Sequence, residues 1–168
     1  SKVQYRGLDL SEGKNVDIVS HFVDYFKKTE CDYDLIISTE ALEHDKRWFE
    51  TLQVLAQNNN SEWTAIITAA GMDRKEHGTT RSLPKDSPDT NDYYGNISYG
   101  KVYNALKDYD VAIIDVVEEN RDIYFTVVKS KKLDSQDVAK ENLGKIDTSI
   151  NKVFSFFINN EKNHLGNI

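Results

Sequence analysis

Between Glu40 and Asp45 the chain gathers four groups able to bind a ligand or move a proton: Glu40, Glu43, His44 and Asp45. They follow an apolar run, Leu35-Ile36-Ile37-Ser38-Thr39. A second apolar run, Ala65 to Ala70, ends at Gly71. In an open parallel sheet, ligands bind in the crevice beyond the carboxyl ends of the strands. Any chemistry is therefore expected at these two exits. A carboxylate placed there can hold an ammonium group, and a histidine can move protons near neutral pH. The competing reading is charge at a helix start, favoured by the helix dipole. Glu40-Ala41-Leu42-Glu43-His44 has the spacing of a His-x-x-Glu-His zinc motif. Glu40 stands where the first histidine belongs, so a zinc protease is rejected and no metal site is expected.

These groups need elements to position them. Val3 to Leu10 reads as a strand that ends at Asp9 and a polar turn, and Val16 to Val19 as a short apolar run. His21 to Lys28 suits a short helix. Leu35 to Thr39 is apolar on both faces, as a central parallel strand should be. Asp45 is a candidate N-cap for a helix through Gln57, with Trp48, Leu52 and Leu55 at helical spacing. Trp63 to Ala70 is the next buried strand. Gly71 to Asn96 is a long polar stretch holding both prolines, and structureless loops of that length are usually functional or disordered. Arg74, Glu76 and His77 lie on it, able to bind substrate or act as base, or simply to be solvated. Tyr99 to Lys107 reads as a helix, and Val111 to Glu118 with Ile123 to Lys129 as an antiparallel pair. Gly95 to Lys101 has the glycine spacing of a phosphate loop. Val102 replaces the required hydroxyl residue, so the match is chance. From Asp134 the steps of Ala139, Leu143, Ile146, Ile150, Val153 and Phe157 predict one long amphipathic helix. Alternating strands and helices with a terminal antiparallel pair argue a largely parallel α/β sheet. The division expected is an α/β domain over 1–133 and a helix over 134–168 that packs on the domain or on a partner subunit.

Composition narrows the function classes. The 168 residues carry a net charge of −7, which disfavours general binding to phosphate backbones. No apolar run reaches the length of a membrane span. Cys31 is the single cysteine and cannot form an internal disulfide. Its acidic neighbours Asp32 and Asp34 disfavour a thiolate. These features fit an intracellular, cytoplasmic protein without a signal peptide.

Several segments together are similar to the class I S-adenosylmethionine-dependent methyltransferases of the small-molecule type. Tyr5-Arg6-Gly7-Leu8-Asp9-Leu10 resembles the family's second strand, and Asn15 to Val19 the third. Ile37 to His44 resembles the fourth strand with its exit loop. Thr68 to Gly71 resembles the end of the fifth. Arg74 to Thr79 and Tyr93 to Asn96 resemble a loop found in one branch. The resemblance implies a truncated Rossmann-like sheet, mostly parallel with a terminal antiparallel pair, plus an added C-terminal helix. It implies S-adenosylmethionine as cofactor, held by Asp9 (ribose hydroxyls), His21, Glu40 and Glu43. It implies substrate contacts from Arg74, Glu76, Tyr93, Tyr94 and Asn96, with His44 or His77 as base. Two departures stand out. The family's opening strand and glycine-rich turn have no counterpart, and Ser20-His21 replaces an acid that often meets adenine. A missing central strand leaves unpaired backbone on its neighbours. Self-association, or a partner chain filling the gap, is therefore expected. The alternative to an enzyme is a non-catalytic structural or scaffold protein on the same fold, for example in a viral assembly.

Overall fold

The computed structural model describes residues 4–29, 32–119 and 121–130, all within one compact unit. The expected terminal helix with its apolar seam, and Cys31, lie outside the described residues. The elements run β1 (Leu8–Asp9), β2 (Ile18–Val19), α1 (Phe22–Lys28), β3 (Leu35–Thr39), α2 (Trp48–Ala56), β4 (Trp63–Ala70), α3 (Tyr99–Leu106), β5 (Ala112–Glu119) and β6 (Asp122–Lys129). Short 3-10 turns occupy Leu42–His44 and Pro84–Asp86.

The strands form two sheets. β1 and β2 pair in parallel. The other sheet has the order β3-β4-β6-β5. There β3 and β4 are parallel, while β6 runs against both β4 and β5. Three of these four strands therefore share one direction, and the arrangement is a mostly parallel, Rossmann-like α/β fold.

Strand β4 shows why. Its Trp63, Ala65, Ile67 and Ala69 are buried in alternation, the period of a pleated strand with one face on a core. That face packs with Leu52, Leu55 and Ala56 of α2, Val102, Ala105 and Leu106 of α3, and Ile123, Phe125 and Val127 of β6. Small alanines on β4 let the helices approach closely, and Phe125 fills the remaining space.

Three sequence expectations are corrected. The first strand shrinks from Val3–Leu10 to Leu8–Asp9, because the Gly7 carbonyl accepts from the amides of both Asp17 and Ile18 and the chain turns there. A β-carbon on Gly7 would stand 1.8 Å from the Asn15 carbonyl oxygen, so only glycine fits. Strand β3 is not central. Among the described residues it is outermost in its sheet, with Leu35 and Ile37 exposed and Ile36 packed against the core. Asp45 is not the N-cap of α2, since that position is Arg47. It still serves the helix entry: Oδ1 accepts from the Arg47 amide at 2.7 Å and Oδ2 from the Thr51 hydroxyl at 2.5 Å.

Arg47 also ties α1 to α2. It donates to Asp24 and to Glu50, each at 2.9 Å. Its hydrogen bond, followed by that of Lys27, holds the Glu50 carboxyl down to about 2, and the Arg47 bond is the main cause lowering Asp24. Depressed carboxyls stabilise the fold above their unfolded range, and that stability is lost as pH falls through the folded value. The parent protein should therefore lose melting temperature between about pH 4.5 and 2, and Arg47→Ala should flatten that limb. A variant with the parent's acid slope would show that the guanidinium does not hold these carboxylates.

Candidate functional site

The loops that leave β1 to β4 gather at one end of the described unit. The Ser11 hydroxyl, after β1, donates to Asp89 in the loop after β4 at 2.7 Å. His21, after β2, meets Asp45, after β3, at 2.9 Å. At the exit of β3, Glu40 takes a φ of +51°, which is uncommon for a side-chain-bearing residue and concentrates at functional sites. Its amide donates to the Thr68 carbonyl, and its Oε1 accepts from the Thr68 hydroxyl at 2.9 Å. The twist turns the chain inward into the Leu42–His44 turn, which buries all three of its residues.

Burial of Glu43 is the unusual feature. Its side chain is fully enclosed, and neither carboxylate oxygen has a hydrogen-bond partner among the described residues. Desolvation is the main cause pushing its carboxyl up to about 7, and the nearby Glu40 charge adds to it. Beside it, His44 and His77 face each other, Nε2 to Nε2, at 3.3 Å. The His77 Nδ1 lies 3.2 Å from the Lys75 carbonyl. That oxygen can only accept, so Nδ1 carries the proton and Nε2 presents a lone pair. Burial, then the His77 charge, lowers the His44 pKa. Tyr94 closes the cluster, its ring edge-on to both imidazoles at 5.5 and 5.0 Å. Its phenol is pushed up to about 12, first by burial and then by the Glu43 charge. Nearest donor atoms of Glu43, His44 and His77 lie within 4.8 Å of one another. Such a set can hold a cation or take a proton from a bound hydroxyl.

The remaining candidates are placed differently. Asp9 is exposed, and its Oδ1 accepts from the Leu10 and Ser11 amides of its own turn. His21 is the N-cap of α1: Nδ1 accepts from the Val23 amide, so Nε2 carries the proton given to Asp45. Both ring nitrogens are thus spent on structure. Arg74 binds Asp122 and approaches Glu40 at 3.7 Å. Glu76 accepts from Thr79 and pairs with Arg81. Asn96 donates to the carbonyls of Gly71 and Arg74, which folds the polar stretch back on itself. Tyr93 packs against Gly95. Lys101, at the end of the discounted phosphate-loop spacing, is committed to the Asn96 carbonyl and lies over the Trp48 ring. Residues not singled out from the sequence also matter: Gly78, Thr79, Asp122 and the Lys75 carbonyl. Only Gly78, a glycine directly after His77, carried a sequence signal.

No family model matches the chain, and no curated protein matches it. Solved structures with a similar fold include a SAM-dependent methyltransferase from Archaeoglobus fulgidus, 16% identical, with a TM-score of 0.48 over 73% of this chain and 75% of that one. A magnesium protoporphyrin IX methyltransferase from Synechocystis, with bound SAH, is 17% identical, with a TM-score of 0.41 over 62% of this chain and 48% of that one. An O-methyltransferase family protein from Burkholderia thailandensis is 15% identical, with a TM-score of 0.45 over 70% of this chain and 37% of that one.

Gly78 tests how the cluster is shaped. It has a φ of +68°, and a β-carbon there would stand 2.8 Å from His44 Cε1. Gly78→Ala should cost about 1–2 kcal/mol from the backbone alone and displace the His44 ring. Denaturant unfolding and the imidazole nitrogen resonances check this. Parental values for both would exclude a shaping role.

Proposed function

We propose that the chain is a methyltransferase-like domain that uses S-adenosylmethionine as methyl donor and receives the acceptor at the Glu43–His44–His77 cluster. The observation that carries this reading is position. A buried carboxylate and two imidazoles sit beyond the carboxyl ends of parallel strands, where such sheets take their ligands. The strained backbone at Glu40 adds to it.

The donor set suits the cofactor in part. Asp9 at the exit of β1 keeps one oxygen outside its turn bonds, as a ribose hydroxyl would require. Glu40, exposed at the exit of β3, offers a carboxylate to an ammonium group. When bound, the cofactor supplies a methyl group on a positively charged sulfur. The chain's own residues hold the acceptor and dispose of its proton. Most of the rate in such a transfer comes from alignment. Between the two candidate bases, His77 is better placed than His44, because its lone pair is fixed by the Lys75 carbonyl and it is less buried. Arg74, Glu76 and Asn96 act by holding the loop that carries His77.

A second reading has its own observation. Strand β3 has no neighbour on its outer edge among the described residues, and Leu35 and Ile37 are exposed on one face. An edge of that kind invites pairing with another chain, as a scaffold or an assembly subunit would use.

Millimolar S-adenosylhomocysteine should raise the melting temperature of the parent protein by mass action. The shift should shrink in Asp9→Asn. No shift in the parent retires methyl transfer. Sedimentation velocity addresses the scaffold: Ile37→Lys should convert an oligomer to a monomer. A parent that is monomeric at every concentration and binds the nucleoside leaves the scaffold without support.

A further inference from the structure

The same cluster poses a problem that proton chemistry alone does not resolve. A carboxyl group with neither oxygen satisfied in a closed interior is costly. If His44 donated its Nε2 proton to His77, one hydrogen bond would be made and both Glu43 oxygens would still lack a hydrogen-bond partner among the described residues. A cation answers the Glu43 carboxylate and both Nε2 atoms at once, while the buried His44 Nδ1 keeps no hydrogen-bond partner among the described residues. Two nitrogens bound to one ion at about 2.0–2.1 Å in a tetrahedron stand about 3.3–3.4 Å apart. The two Nε2 atoms are 3.3 Å apart. The carboxylate lies within 4.8 Å of both histidine donors, a span that small side-chain rotations close. The hydrogen bond from His77 Nδ1 to the Lys75 carbonyl is the kind of outer partner that ligating histidines almost always have, because it fixes the tautomer and the ring direction.

We infer that Glu43, His44 and His77 form a binding site for one divalent first-row transition-metal ion. Two imidazoles and one carboxylate favour zinc, cobalt or iron over magnesium and calcium, which take all-oxygen shells. Three protein ligands leave one position open, the pattern of catalytic rather than structural sites. The ligands come from two segments, 33 residues apart at His44 and His77, so the ion would also pin the Gly71–Asn96 loop to the exit of β3. An ion here would claim the His77 lone pair. A bound acceptor oxygen would then become acidic through the ion's charge instead of through an imidazole base. That consequence rests on the methyl-transfer reading; the binding of the ion does not.

The test uses the full chain, stripped with a chelator and titrated with Co²⁺. Visible d–d absorption reports tetrahedral binding, and Zn²⁺ and Mg²⁺ serve as competitors. His77→Ala is the main variant, because His77 is only half-buried on a loop and its loss should leave the fold intact by circular dichroism. Glu43→Gln is the second. The parent should bind one ion per chain and lose it to Zn²⁺ but not to Mg²⁺. Each variant should bind at least about 10–100-fold more weakly, the cost already known for losing an outer partner alone. Absence of Co²⁺ absorption overturns the site. So does parental affinity in His77→Ala, which would put the ion elsewhere, and so does equal competition by Mg²⁺. Thermal shift with S-adenosylhomocysteine, run on stripped and loaded protein, separates the two claims. An ion without nucleoside binding keeps the metal site and removes methyl transfer, and the reverse result does the opposite.

Discussion

The backbone at the end of β4 is the constraint on which the site depends. Its terminal groups are all in use. Thr68 gives its carbonyl to the Glu40 amide, Ala70 gives its carbonyl to Ile97, and Gly71 gives its amide to Arg121 and its carbonyl to Asn96. Three separate stretches of chain are thereby fixed to one strand end. Buried polar backbone must be paired somewhere. Here that requirement decides where β3 exits, where the long loop returns and where the β5–β6 hairpin begins. Gly71 is part of this economy: a β-carbon there would meet the Arg121 carbonyl at 2.9 Å.

From that anchoring follows the enclosure of Glu43. Its own carbonyl accepts from the Gly95 amide, so the returning loop closes over the turn that carries it. The loop has little apolar content. It is held by side chains that bond back to it: Asn96 to Gly71 and Arg74, Glu76 to Thr79, and Arg74 to Asp122. Residues that a sequence reading assigns to substrate are thus largely the supports of the loop. The imidazole and carboxylate groups they position form the proposed site.

Much of this was legible in the sequence. The alternation in β4, the helical spacing in α2 and the turn chemistry between β5 and β6 report local periodicity, which survives in the structure. The exit of β3 was legible as the point where an apolar strand gives way to polar groups. Two things were not. Strand β3 reads as central because Leu35, Ile36 and Ile37 are apolar in succession, but whether a neighbour pairs with its outer edge is a tertiary fact. The meeting of His44 and His77 depends on a loop whose path is set by side-chain hydrogen bonds without period. The capping role of His21 at α1 also depends on tertiary placement that no local period announces.

The placement of β6 between β4 and β5 bears on how the chain reaches this state. The β5–β6 hairpin joins near neighbours, Glu119 opposite Asp122, whereas β4 must find Asp122 from Ala70. Local pairings close cheaply, and distant ones wait on loop-closure entropy. Loop-closure entropy therefore makes the hairpin the expected earlier pairing and the docking of β4 onto it the later one. Everything that depends on the end of β4, the histidine cluster included, waits on that docking.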